Sequence, residues 1–266
     1  MTRITINDFL DRKIKGQKLA LMTAYDYAFG RIVDEVGFEG ILVGDSLSMV
    51  VQGLENTLPV TMDEMIYHTR IVSRAVTNAL VIGDMPYLSY QVSVRDAVRN
   101  AGRFIKEGGA QAVKTEGGRE ILPQIRAMIA AEIPVMAHIG LTPQAVYRIG
   151  GFKVQGKTDE ARVRLLEDAL MLEDAGAFSI VIEAVPTGLA KEITEKLSIP
   201  TIGIGAGAHC DGQILVLHDV IGLFERFIPK FAKRYANLKE DALKALCTYR
   251  DEVRGGVFPS EKESFK

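Results

Sequence analysis

Seven polar side chains stand where apolar runs of this chain end. Asp45 and Ser46 close Ile41-Leu42-Val43-Gly44, and Asp84 closes Leu80–Gly83. Lys114 and Glu116 end the run from Ala110, His138 follows Pro134–Ala137, and Glu183 follows Ile180-Val181-Ile182. A carboxylate at the end of a buried run is costly to desolvate unless it is paired or bound to a cation. Asp45, Asp84 and Glu116 have no cysteine and no paired histidine nearby, so together they form a hard, oxygen-only donor set. Mg²⁺ suits such a set, because it keeps its waters and takes only one or two carboxylates directly. Zn²⁺ would recruit His or Cys. The competing reading is structural, with each carboxylate capping a helix or pairing with Arg or Lys.

Lys114 precedes Glu116 by two residues, so both point to one face if the strand continues that far. It could hold a substrate carboxylate, form a Schiff base, or simply neutralise Glu116; a metal site alongside argues for the first. Glu183 is drawn from an apolar strand, where burial disfavours its charged form and suits it to the work of a general base. Its structural alternative is a salt bridge to a neighbouring strand. His138 reads equally well as a hydrogen-bonded or a catalytic histidine. Gly44-Asp45-Ser46-Leu47 has the letters of a serine-esterase motif. That class would carry it at the first strand, with an Asp-x-x-His near the C-terminus, and here His218-Asp219 has the wrong order and spacing. The glycine-rich Gly203–Gly207 could offer backbone N–H groups to an anion, or could mark close backbone packing.

The elements that would position these groups repeat as a short apolar run, a turn and an amphipathic helix. Runs begin at Leu19, Gly40, Leu80, Ala110, Pro134, Ala177, Pro200 and Gln213. Thr61 to Glu64 has the form of a capping box, and Ser93 can cap the next helix. Arg119–Glu132 and Asp159–Ala175 read as helices, with Pro123 starting or kinking the first. Strands apolar on both faces imply a parallel sheet covered by helices. Eight such units in about 250 residues is the arithmetic of a (β/α)8 TIM barrel, whose active sites gather at the C-terminal ends of the strands. An open doubly wound sheet would show a glycine-rich turn after its first strand, and this chain has Ala24-Tyr25-Asp26 there. The acidic residues are about one, one and two β/α units apart, so they can converge. We expect residues 1–266 to form a single barrel domain with a C-terminal helical extension.

Composition excludes several classes. With 47 % hydrophobic and 25 % charged residues and a net charge of −2, nothing favours nucleic acid or an anionic membrane. The two cysteines match no metal spacing and form no disulfide framework. The N-terminal stretch is too charged for a signal peptide, and no apolar run approaches the roughly 20 residues that cross a bilayer. A soluble, cytoplasmic protein is expected.

Longer motifs carry a resemblance. Met22–Asp26, Ile41–Val50, Thr57–Met65, Asp84-Met85-Pro86, Val113–Gly118, His138–Gln144, Gly203–Gln213 and Pro229–Ala236 resemble the 3-methyl-2-oxobutanoate (ketopantoate) hydroxymethyltransferase family, in order along nearly the whole chain. The resemblance implies a barrel of the phosphoenolpyruvate/pyruvate superfamily, a homodecamer, and a role in pantothenate biosynthesis. It implies transfer of a one-carbon unit from 5,10-methylenetetrahydrofolate to 3-methyl-2-oxobutanoate. It also implies that Asp45 and Asp84 hold Mg²⁺ with Glu116 completing the site. Asp45, Ser46, Asp84 and Lys114 would contact the oxo acid, and Glu183 would accept the proton. Ser48, Thr115 and Ala208-His209 depart from the usual pattern without touching a proposed ligand or base. The rivals are a superfamily lyase or mutase, which would carry a cysteine after the fourth strand, and a non-catalytic oxo-acid sensor, which has no use for a base.

Overall fold

The computed structural model describes residues 3–226 and 229–265; Met1, Thr2, Phe227, Ile228 and Lys266 lie outside them. Eight parallel strands close into a barrel in sequence order. They are β1 (Leu19–Thr23), β2 (Gly40–Val43), β3 (Leu80–Asp84), β4 (Ala112–Glu116), β5 (Val135–Gly140), β6 (Ser179–Glu183), β7 (Thr201–Ile204) and β8 (Gly212–Leu215). β8 pairs with β1, which leaves no open edge. The expected (β/α)8 architecture is therefore present. The ends of several strands differ, because β3, β4, β5 and β6 run on through Asp84, Glu116, His138 and Glu183 rather than stopping before them.

That extension has a consequence for placement. Alternate residues of a strand share a face, and one such row packs the lower barrel interior: Leu80 and Ile82 of β3, Ala112 of β4, Met136 of β5 and Val181 of β6. Continuing each row in steps of two reaches Asp84, then Lys114 and Glu116, then His138, then Glu183. One face of each strand thus changes from core to chemistry along its length. Register brings the rows level, pairing Asp84 with Lys114, Glu116 with His138, and Gly140 with Glu183.

The helices follow local signals. Thr61 and Glu64 form the expected capping box at Met62–Ala75, Ser93 caps Val94–Lys106, and Thr158 caps Asp159–Asp174. Pro123 lies in the first turn of Leu122–Ala130, with a 3-10 turn, Arg119–Ile121, ahead of it. Among these elements the helix Ile6–Ile14 was not legible as such; it buries Phe9 within the barrel's core cluster. The chain divides into two compact units, Met1–Val216 and Leu217–Lys266. The second contains the helix Leu238–Arg254, which buries none of its residues.

Candidate active site

Lys114 is the hub of the barrel mouth. Its ammonium lies 2.7 Å from Asp84 Oδ1 and 3.4 Å from Glu116 Oε1, with all three side chains almost wholly buried. The strand does continue far enough to put Lys114 and Glu116 on one face, yet the shorter contact is to Asp84 on the adjacent strand. Asp45, just beyond β2, is held differently: Gln144 Nε2 donates to its Oδ2 at 3.0 Å, and its own amide donates to Asp84 Oδ2 at 3.2 Å.

Lys114, with His138 beside Glu116, faces three buried carboxylates. Burial, followed by the charges of Asp84 and Glu116, pushes the Asp45 carboxyl well above its usual range. Burial also raises Asp84, against the pull of Lys114. For Glu116 the burial penalty is outweighed by Lys114, His138 and the Gln144 amide, which hold its carboxyl below the usual range. Lys114 stays protonated, because Asp84, Glu116 and Asp45 together exceed the cost of burying it.

His138 sits between two acids, with Nδ1 3.4 Å from Glu116 Oε1 and Nε2 3.3 Å from Glu183 Oε2. Neither contact has hydrogen-bond direction, so attraction between charges holds the ring. Burial and Lys114 lower its basicity, but the two carboxylates prevail and push the imidazole up to about 9. Glu183 is less enclosed than its apolar strand suggested, keeping 13 % side-chain exposure. Its position is fixed from behind: Gly140 has φ +96°, and a Cβ there would lie 2.2 Å from the Glu183 carbonyl oxygen. Leu141 donates its amide to that same oxygen at 2.9 Å.

Three contributors escaped the sequence reading. Tyr90, fully buried, accepts from the Glu116 amide at 2.9 Å and reaches Gln144 Oε1, also at 2.9 Å. Gln144 spends its amide on Asp45 and on the Met85 carbonyl, and its backbone N–H on Glu116 Oε2 at 3.0 Å. Tyr25 lies 2.8 Å from Ser46 Oγ, so Ser46 is an oriented hydroxyl with no base beside it of the kind a nucleophile needs. Gln144 was signalled only by its place after β5, and nothing local in Leu88-Ser89-Tyr90 marks Tyr90. In the Gly203–Gly207 stretch the backbone packs closely: a Cβ on Gly203 would meet Gln213 and Cys210, and one on Gly207 would meet Thr187 at 2.5 Å.

Among the described residues, no three or more His, Cys, Asp or Glu side chains are grouped closely enough to hold a metal ion together. No helix among them is long and apolar enough to cross a membrane.

Comparison with known proteins agrees along nearly the full length. The family model described as ketopantoate hydroxymethyltransferase matches residues 3–261. The 3-methyl-2-oxobutanoate hydroxymethyltransferase of Syntrophus aciditrophicus (strain SB) is 57 % identical over 99 % of this chain and 97 % of its own. The enzyme of that name from Geobacter metallireducens is 57 % identical over 98 % of each. Among solved structures, phosphonopyruvate hydrolase in complex with oxalate and Mg²⁺ superposes with a TM-score of 0.62 at 14 % identity, over 97 % of this chain and 92 % of that one. A 2,3-dimethylmalate lyase of the PEP mutase/isocitrate lyase superfamily gives 0.62 at 15 % identity, over 100 % and 89 %. These two likenesses concern the fold.

Proposed function

This chain belongs to the ketopantoate hydroxymethyltransferase family, and from that premise we propose that it moves a hydroxymethyl unit from 5,10-methylenetetrahydrofolate onto C3 of 3-methyl-2-oxobutanoate. The products are 2-dehydropantoate and tetrahydrofolate, in pantothenate biosynthesis. The observation that carries the reading is the grouping of Asp84 and Glu116 around Lys114, with Asp45 joined to Asp84 through its amide and Glu183 joined through His138.

The donor set fits Mg²⁺. Its oxygens are hard, burial and then the charges of Asp84 and Glu116 raise the Asp45 carboxyl above its usual range, and a divalent cation would offset that negative charge. Asp45 and Asp84 would be the direct ligands, with Glu116 completing the site through water. Bound there, Mg²⁺ would stabilise the negative charge that builds on the oxo acid's carbonyl oxygen as the C3 proton leaves.

The chain's own residues supply the rest. Lys114 holds the oxo acid's carboxylate, and Ser46, oriented by Tyr25, hydrogen-bonds to the same substrate. Glu183 takes the proton from C3, while His138 keeps its carboxylate aimed. Gln144 and Tyr90 hold Asp45 and Glu116 in place, which limits reorganisation as charge develops. The C3 carbanion attacks the donor's methylene carbon, and water releases tetrahydrofolate and leaves the hydroxymethyl group on C3. A sensor would have no need of Glu183, and the lyase and mutase alternative lacks its cysteine in Glu116-Gly117-Gly118.

We read residues 1–266 as one catalytic domain with a helical extension, in a cytoplasmic homodecamer. The apolar positions Leu243, Leu246, Tyr249 and Val253, all exposed, support an assembly. The test is direct: incubate the protein with oxo acid, methylenetetrahydrofolate and Mg²⁺, and look for 2-dehydropantoate. Normal turnover in EDTA, or in an Asp84→Ala variant, would defeat the metal assignment.

A further inference from the structure

Resting on that reading of the reaction, we propose that the cavity walled by Tyr87, Tyr147 and Arg148 seats the one-carbon donor. Its pterin and aminobenzoyl rings would lie against the tyrosines, and its glutamate tail would face Arg148. The reaction itself constrains the place, because the donor's methylene must reach C3 of the oxo acid. The donor's cavity must therefore open onto the oxo-acid site. This one borders the carboxylate cluster: Glu116 lines it beside Tyr90 and Gln144, which hydrogen-bond to Glu116 and, through Gln144, to Asp45. Its volume of about 640 Å³ lies within the range of sites for cofactor-sized molecules.

The lining suits the chemistry of a reduced pterin linked to an aminobenzoyl glutamate. Tyr87 and Tyr147 are 42 % and 79 % exposed, an unusual disposition for large aromatic rings at a cavity wall and one that leaves faces free for stacking. Leu58 adds an apolar surface, and Glu120 offers acceptor oxygens to the pterin's amino-pyrimidine edge. Three arginines line the outer part, but they are not equivalent. Arg119 is taken by Asp168 at 2.6 Å and Glu167 at 3.0 Å, and Arg164 lies 3.8 Å from Asp168. Arg148 is exposed and makes no ion pair among the described residues, so its guanidinium is available to a carboxylate. A second cavity, of about 500 Å³, lacks these features: its wall carries Asp159, Glu160 and Glu167, no aromatic ring and no residue of the carboxylate cluster.

Two variants test the assignment, Tyr147→Ala and Arg148→Ala, each assayed with methylenetetrahydrofolate and with methylenetetrahydropteroate, which lacks the glutamate. Arg148→Ala is expected to raise KM on the order of tenfold for the first donor and to leave it unchanged for the second, as loss of one charge-assisted contact requires. Tyr147→Ala is expected to raise KM for both. In each variant the oxo-acid KM and the folate-free deuterium exchange at C3 should stay within about twofold of the parent. Donor KM values unchanged in both variants would overturn the proposal. So would a parallel rise in the oxo-acid KM, which would mark a distorted loop rather than a donor site. If the parent protein exchanges C3 deuterium but forms no folate-dependent product, the reading of the reaction fails, and the donor cavity fails with it.

Discussion

Replacing Lys114 with methionine keeps the length of the side chain and removes the cation that pairs with both Asp84 and Glu116. At an effective dielectric constant of 20, charges at the observed 2.7 Å and 3.4 Å attract by about 6 and about 5 kcal/mol. Much of that offsets the cost of burying the ions. Stripping one partner from such a buried group costs about 3–5 kcal/mol, because the remaining charges have no compensation. For a chain of this size that corresponds to a fall in Tm of about 10 °C. The loss should also depend on pH. Asp45 and Asp84 already stand above their unfolded values, and without Lys114 they rise further while Glu116 loses the largest of the groups that lower it. Stability from the bound protons is then full below the unfolded pKa and is lost as pH rises through the folded values. Thermal unfolding of Lys114→Met in EDTA should therefore show a large deficit at about pH 8 and a smaller one at about pH 5. A Tm within about 2 °C of the parent at both pH values would refute the view that Lys114 neutralises this cluster.

Other perturbations probe the supports. Gln144→Leu removes the hydrogen bond that orients Asp45 and the one that anchors Gln144 on the Met85 carbonyl, and should raise the Mg²⁺ concentration for half-maximal activity by about 10–100-fold, read by Mg²⁺ titration of turnover. Gly140→Ala puts a Cβ 2.2 Å from the Glu183 carbonyl; displacing that strand end by about 1 Å should cost on the order of 10²-fold in kcat, and steady-state kinetics would expose an unaffected enzyme. Thr115 is fully buried, and its hydroxyl has no partner among the described residues. Thr115→Val should therefore stabilise the fold by about 1 kcal/mol, and a lower denaturation midpoint would count against that account.

The barrel was legible because its signal is periodic. Apolar runs alternate with helices whose caps at Thr61 and Ser93 are governed by residues within one turn. The list of polar groups at the strand ends was equally accessible, since Asp45, Asp84, Lys114, Glu116, His138 and Glu183 interrupt apolar sequence. What they touch was not. The partner of Lys114 is settled by the register of β3 on β4, and the place of His138 between Glu116 and Glu183 by two further registers; neither is written in any local stretch. Tyr90 and Gln144 matter because loops far apart in sequence meet over the mouth. Phe9 went unrecognised because a short charged helix announces nothing of the core cluster that its one buried ring completes.

The central claim is that Glu183 takes a proton from C3 of the oxo acid. It is tested most directly by following deuterium exchange at C3 of 3-methyl-2-oxobutanoate with Mg²⁺ present and no folate. Glu183→Gln removes the base but keeps the shape, so it should bind the oxo acid almost as well as the parent and exchange about 10²–10⁴-fold more slowly. Exchange at the parent's rate in Glu183→Gln would contradict the account.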